Sequence, residues 1–250
     1  MTRTRLHFHY SLYQWWGVPS RYVQLVDHLD PARFVATTQG TPDVLDPNRM
    51  PDWQRRLSDL IAPDLRRQRM PWHNLNDLAT EAATLDLCVD GKIDIVHFLD
   101  GEHSGPGLPN LVRHRLPGVR TVATFHQPPE LAEQVIHGPS LRHLDAVILM
   151  APSQLPFFQR FVAAERLHVI LHGVDTGFFT PAAGPRATGP LRCITTGLHL
   201  RDWDAFHAVA GTLPDVSFTV VTSGRVTLQT LPNVHVLSGI SDQALADRKS

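Results

Sequence analysis

Short apolar runs recur along this chain, and each is followed by a longer segment with helical spacing. "RLHFHY" (Arg5–Tyr10), "RFVATT" (Arg33–Thr38), "DIVHFLD" (Asp94–Asp100), "RTVATFH" (Arg120–His126), "DAVILMA" (Asp145–Ala151) and "LHVILH" (Leu167–His172) read as strands. Ser20–Leu29, Asn74–Gly91, Leu108–Arg115, Glu130–Ile136 and Pro156–Ala163 read as helices. In the longest of these, Leu75, Leu78, Ala79, Ala82 and Leu85 mark an apolar stripe and Gly91 a stop. Strands apolar on both faces, alternating with helices, require a mainly parallel sheet covered by helices. In such sheets ligands bind at the carboxyl ends of the strands.

The stretch "VILHGVDTGFFTP" (Val169–Pro181) begins as a buried strand and leaves the core within four residues. Gly173 and Gly177 suit backbone angles that other residues resist. Asp175 is placed to cap its own turn, and Phe178, Phe179 and Pro181 to plug the exit. "AAGPRATGP" then reads as a linker. Beyond it the alternation restarts with "LRCITTG" (Leu191–Gly197), Trp203–Leu213, Val216–Gly224, Asn233–Gly239 and a helix start at "SDQALADR". The expected organisation is an N-terminal Rossmann-like domain at 1–181, a linker at 182–190 and a partial second Rossmann-like domain at 191–250. The last is about half of what a doubly wound domain needs, so the chain is expected to be truncated within it.

With a formal net charge of -1, no global basic field points to nucleic acid. The two cysteines, Cys88 and Cys193, make neither a disulfide framework nor a zinc site. The N-terminus lacks the pattern of a secretory signal, and no run approaches the ~20 apolar residues of a membrane span. A cytoplasmic protein is expected. "WQRRLSDLIAPDLRRQRMPW" (Trp53–Trp72) carries five arginines with Leu57, Leu60 and Ile61 on one face. It reads as a solvated face broken at Pro63, with weak peripheral contact to an anionic membrane as the alternative.

"LDAVILMAPSQLPFFQRFV…LHVILHGVDTGFFTP" resembles the segment joining the two domains of retaining glycosyltransferases of the GT-B fold, family 4. "DIVHFLD" resembles their D-[IV]-[IV]-H strand, "VATFH" their T-x-H strand end, and "LRCITTGLHLRDWDAF" the start of their donor domain. The resemblance implies an α/β, GT-B-like fold in which two Rossmann-like domains face each other across a cleft. It implies metal-independent, retaining transfer from a nucleotide sugar to a glycan, lipid or small-molecule hydroxyl, with no resident cofactor.

His126, at a strand end, takes by this resemblance the place next to the transferred sugar, as the catalytic residue. Gly17, in "WWGVPS" behind Trp15 and Trp16, falls where the family keeps a glycine-rich turn near the donor phosphates. Gly197, His199 and Arg201 complete the expected donor set, because a helix start and a cation suit a diphosphate. The chain departs from the pattern here, since the usual glycine–arginine pair is Gly197-Leu198. Alternatively, Arg201 pairs with Asp202 or Asp204. His97, Asp100, Glu102 and His103, in "HFLDGEHSGPG", are expected to project into the cleft and read the acceptor. The family's late pair of glutamates is absent. A non-catalytic nucleotide-sugar or glycan-binding chain is therefore the second reading. The third is a metal-dependent hydrolase using His7, His9, His97, His103 and His126.

Overall fold

The computed structural model describes residues 3–10, 22–40, 70–73, 75–103, 107–181, 189–197, 200–222, 231–241 and 244–245, together with 56, 60, 63 and 67. Among these the chain forms two compact units, the first running to Gly173 and the second starting at Val174. Most of the expected linker lies outside the described residues.

The first unit is built on six parallel strands: β1 (Thr4–Tyr10), β2 (Phe34–Gly40), β3 (Ile95–Phe98), β4 (Arg120–Phe125), β5 (Ala146–Leu149) and β6 (Leu167–Val169). Their order is β2-β1-β3-β4-β5-β6, so the winding reverses between β1 and β3. In an open parallel sheet that reversal opens a crevice at the carboxyl edge. Helices α1 (Leu75–Val89), α2 (Gly107–Arg115), α3 (Pro129–Val135) and α4 (Leu155–Phe158) connect the strands. On one face Val96, Phe98, Ala123, Phe125, Val147 and Leu149 pack with Leu108, Val112, Val135, Phe157 and Phe158. On the other, Leu6, Phe8 and Leu99 form a smaller cluster. At the amino edge, the aspartates that open two strand motifs hold the backbone of neighbouring strands. Asp94 accepts from Arg5 N at 2.7 Å, and Asp145 from Thr121 N at 2.8 Å.

Gly91 ends α1 as expected: the Gly91 amide donates to Cys88 O at 3.1 Å and the Lys92 amide to Leu87 O at 3.0 Å, with Gly91 at φ 65°. These are the two bonds of a Schellman stop. The helix, however, buries only part of the stripe that its apolar residues mark, with Leu85 packed partly buried against the core. Leu78 is half exposed and Ala79 and Ala82 are exposed, whereas Asp77, Thr80, Glu81, Thr84 and Cys88 are buried. The inward residues recur at helical spacing just as the apolar ones do. They meet polar partners on β1, where His9 Nδ1 lies 3.0 Å from Thr84 Oγ1 and His7 Nε2 lies 3.4 Å from the same atom. His7 Nδ1 is 2.9 Å from Thr37 Oγ1 on β2.

Three further expectations are corrected. The segment read as a helix from Ser20 is a 3-10 helix, Tyr22–His28, in keeping with the low helix propensity of Val23 and Val26. The Val169–Leu171 run is not buried: β6 is an edge strand, and Leu171 is 72% exposed. Gly173 and Gly177 are not among the described positive-φ residues. Gly177 serves by its small size, because a Cβ there would come 3.3 Å from Asp175 Oδ1. That carboxylate caps its turn as expected, accepting from the Gly177 and Phe178 amides at 2.9 and 3.0 Å.

The second unit carries a parallel sheet of β7 (Arg192–Thr196), β8 (Ser217–Val221) and β9 (Val234–Leu237), with α5 (Trp203–Thr212) between the first two. Phe206 of α5 meets Phe218 of β8 edge-on at 5.7 Å. Asn233 Nδ2 donates to Ala210, Leu213 and Val216 carbonyls, fixing the end of the helix. No described helix of the chain is long and apolar enough to cross a membrane. In the arginine-rich stretch, Arg56, Leu60, Pro63 and Arg67 are helical and exposed, and the residues on either side of Pro63, where a break is expected, lie outside the described ones.

Which face of α1 is buried has a direct consequence. Thr84→Val removes the hydroxyl that His9 Nδ1 and His7 Nε2 share and is expected to cost about 1–3 kcal/mol in urea unfolding. Leu78→Ser on the outward face is expected to change stability by about 0.5 kcal/mol or less. The opposite ranking would mean that the apolar stripe faces inward.

Candidate active site at the strand carboxyl edges

Past the end of β3, Leu99 continues the sheet, its amide donating to His9 O at 2.8 Å. The chain then turns through Asp100 into a 3-10 helix, Gly101–His103. Gly101 is needed for its size, since a Cβ would lie 2.6 Å from the Phe125 ring. This close approach carries Glu102 beneath the end of β4. Glu102 Oε1 accepts from the His126 amide at 2.5 Å and from the Gln127 amide at 2.8 Å. His126 Nε2 lies 2.6 Å from the Leu99 carbonyl. A carbonyl only accepts, so this contact puts a ring proton on Nε2 and, in the neutral ring, the lone pair on Nδ1. Asp100 Oδ1 stands 4.0 Å from the same Nε2.

The structure thus gathers His126, Asp100, Glu102 and His103 at one edge, but Asp100 and Glu102 are buried and do not project outward. His103 Nδ1 is 3.0 Å from the Trp72 carbonyl and its ring stacks on the Trp72 indole at 5.5 Å. Asp77 Oδ2 is 3.8 Å from that Nδ1. Burial opposes a charge on His103. The hydrogen-bonding and charge of Asp77, with the charges of Asp100 and Glu102, outweigh it and raise its pKa. His97 lies one layer deeper, with Nε2 2.8 Å from Thr124 Oγ1. Burial, helped by the neighbouring His126, pushes its pKa down to about 4.

Behind these residues lies the polar face of α1. Burial pushes His9 down to about 4, against the pull of Asp77 and with help from His7 and His73. His7 is lowered by burial too. His73 Nε2 stands 3.4 Å from Glu81 Oε1. Among the described residues no group of three or more His, Cys, Asp or Glu is arranged to hold a metal ion. Asp77, Glu81, His73 and Trp72 were missed by the sequence reading. For Asp77 and Glu81 the only signal was their place on the helical stripe opposite the apolar one; Trp72 and His73 precede the helix.

In the second unit, Gly197 follows β7 with φ 94°, a conformation that favours glycine. Its amide donates to Val221 O at 3.1 Å, so it serves the turn and does not point a donor outward. Arg201 folds back over this glycine. Its Nε and Nη2 donate to the Thr196 carbonyl at 3.1 and 3.0 Å, and no ion pair with Asp202 or Asp204 accompanies these bonds among the described contacts. Asp202 instead caps α5, accepting from the Ala205 amide at 2.8 Å. Gly17, Trp15, Trp16 and His199 lie outside the described residues.

No protein-family model matches the sequence, and no curated protein does. Solved structures do match the fold. The lipopolysaccharide outer core galactosyltransferase WaaB, in its apo form, superposes with a TM-score of 0.60 at 12% identity, over 99% of this chain and 71% of that one. The OtsA apo structure gives 0.58 at 12% identity, over 97% and 75%. An E. coli trehalose-6-phosphate structure bound with UDP-2-fluoro glucose gives 0.57 at 12%, over 97% and 75%. The α/β fold of this chain, two Rossmann-like units on parallel sheets, is therefore the GT-B fold of glycosyltransferases.

The buried imidazoles make acid stability testable. His9 and His97 hold their protons only near pH 4 when folded, against 6.5 as the ordinary value. Between those values the unfolded chain binds more protons, so stability is full above about pH 6.5 and falls as pH drops towards 4. Each group contributes a slope of up to about 1.4 kcal/mol per pH unit. His103, shifted upward, acts in the opposite sense and loses its contribution as pH rises. Urea unfolding at a series of pH values is expected to show net acid destabilisation, with a shallower slope in His97→Gln. An equal slope in that variant would show that His97 titrates normally.

Proposed function

We propose that this chain is a metal-independent, retaining glycosyltransferase resembling family 4, moving a sugar from a nucleotide-sugar donor to an acceptor hydroxyl. The nucleotide sugar enters as substrate, with no resident cofactor. The observation that carries the reading is His126, held at the carboxyl end of β4 by Glu102 and Leu99, beside Asp100 and His103. The fold shared with WaaB and OtsA supports it.

In the reaction the bond from the anomeric carbon to the diphosphate breaks. A bond to the acceptor oxygen forms, and the acceptor proton leaves with the departing phosphate. Glycosyl transfer develops positive charge on the sugar and negative charge on the diphosphate, so preorganised dipoles and cations are what the protein must supply. With its proton on Nε2, His126 offers Nδ1 as an acceptor for a sugar hydroxyl. Nδ1 lies beneath the surface, so the sugar reaches it through adjustment of the surrounding contacts while Nε2 stays on the Leu99 carbonyl. Arg201, anchored on Thr196, offers its remaining donors to a phosphate. His199 and Gly17 belong to the same donor set, and the acceptor is a glycan, lipid or small molecule read by His103, with the buried Asp100 behind it. His97 and Glu102 act from behind, through Thr124 and the backbone of 126–127.

Leu198 in place of the expected arginine favours the second reading, a chain that binds a nucleotide sugar without turning it over. One experiment separates them: calorimetric titration with UDP-, GDP- and ADP-sugars, followed by release of the nucleoside diphosphate. Binding with turnover is expected, with His126→Ala lowering turnover by about 100-fold or more and Arg201→Ala weakening binding by about 10-fold. Binding without turnover would establish the second reading, and no binding would end both.

A further inference from the structure

We propose that Gln154 and Glu102 are positioning residues that grip the turn after β4 from two sides and set the orientation of His126. The role in transfer rests on the function proposed above; the effect on the imidazole does not.

The sheet ladder stops at Phe125, yet the backbone at 126–127 is still partly buried, so its polar groups need other partners. Gln154 ends the 3-10 helix Pro152–Gln154 after β5 and is almost wholly buried. Its Nε2 donates to the carbonyls of Phe125 at 3.1 Å and Gln127 at 2.8 Å. Its Oε1 accepts from the amides of Met150 at 2.7 Å and Ala151 at 3.0 Å. One carboxamide thereby joins the end of β4 to the end of β5 and uses both of its donors and both acceptor positions. Glu102 Oε1 takes the amides of His126 and Gln127 from the other side. The peptide unit before His126 is held at its carbonyl by Gln154 and at its amide by Glu102. In the turn after it, Glu102 takes the Gln127 amide and Gln154 the Gln127 carbonyl. With the backbone fixed, the ring reaches the Leu99 carbonyl and keeps one tautomer.

Only a carboxamide can do what Gln154 does. A carboxylate there would face two carbonyls with no donor, and a thioether would strand four backbone groups. Glu102 needs only its acceptor oxygen for its two bonds, so a glutamine at 102 can keep them.

The test is long-range ¹H–¹⁵N spectroscopy of the chain labelled at histidine, with the His126 ring signals assigned by their loss in His126→Gln. Gln154→Met and Glu102→Ala, shown to be folded by near-UV circular dichroism, are expected to move His126 from a single Nε2-protonated tautomer to a mixture. The ring signals of His9 and His97 should stay in place, and Glu102→Gln should restore the single tautomer. In transfer assays the first two variants are expected to lower kcat by roughly 10–100-fold with KM little changed, the signature of misplacement. An unchanged His126 tautomer in folded Gln154→Met and Glu102→Ala would overturn the proposal. Should Gln154→Met not fold, the Glu102→Ala and Glu102→Gln pair decides alone. A wild-type chain that transfers no sugar would count against the function, while the spectra would still decide the clamp.

Discussion

The first unit depends on keeping polar groups paired inside its core. β1 turns His7 and His9 towards α1, and an imidazole buried there without a partner would cost about 1–3 kcal/mol. Thr84 and Thr37 supply the partners, and Asp77 and Glu81 bring carboxylates close to His103 and His73. α1 can lie on the sheet only in the rotation that presents these groups. Leu78, Ala79 and Ala82 are left outward as a consequence, while Leu85 and Leu87 pack partly buried at the margin of the core.

That rotation also prepares the carboxyl edge. The charge of Asp77, joined by Asp100 and Glu102, favours a protonated His103, whereas burial keeps His9 and His97 neutral. Neighbouring imidazoles are thus driven to opposite states by burial and by carboxylates. Separated protonation states of this kind are common where a fold positions chemistry, and here they surround the winding reversal between β1 and β3.

Much of the fold was legible because a parallel sheet writes itself in short runs apolar on both faces, as at Val96–Leu99 and Val147–Leu149. The stop at Gly91 and the cap at Asp175 were legible because each depends only on local backbone geometry. The inward face of α1 was not, since the polar and apolar stripes share one period and the pattern alone cannot say which side the sheet occupies. Nor was the exposure of Leu171, because an apolar run does not reveal whether its strand has one neighbour or two. At the site, His126, Asp100, Glu102 and His103 stood out as polar residues at strand ends. Gln154 did not, since nothing in "APSQLP" shows that a glutamine is aimed at a turn 27 residues earlier.

The sequence alone determined the class of fold, the strand ends where polar residues collect, and the restart of the pattern after the glycine- and proline-rich stretch. These follow from periodicity and turn chemistry, which act over a few neighbouring residues. Tertiary structure alone decided that Glu102 and Gln154 hold the backbone around His126, that Arg201 rests on Thr196, and that α1 buries its polar side. Each of these joins elements through hydrogen bonds whose geometry exists only once the strands have paired and the helices have docked.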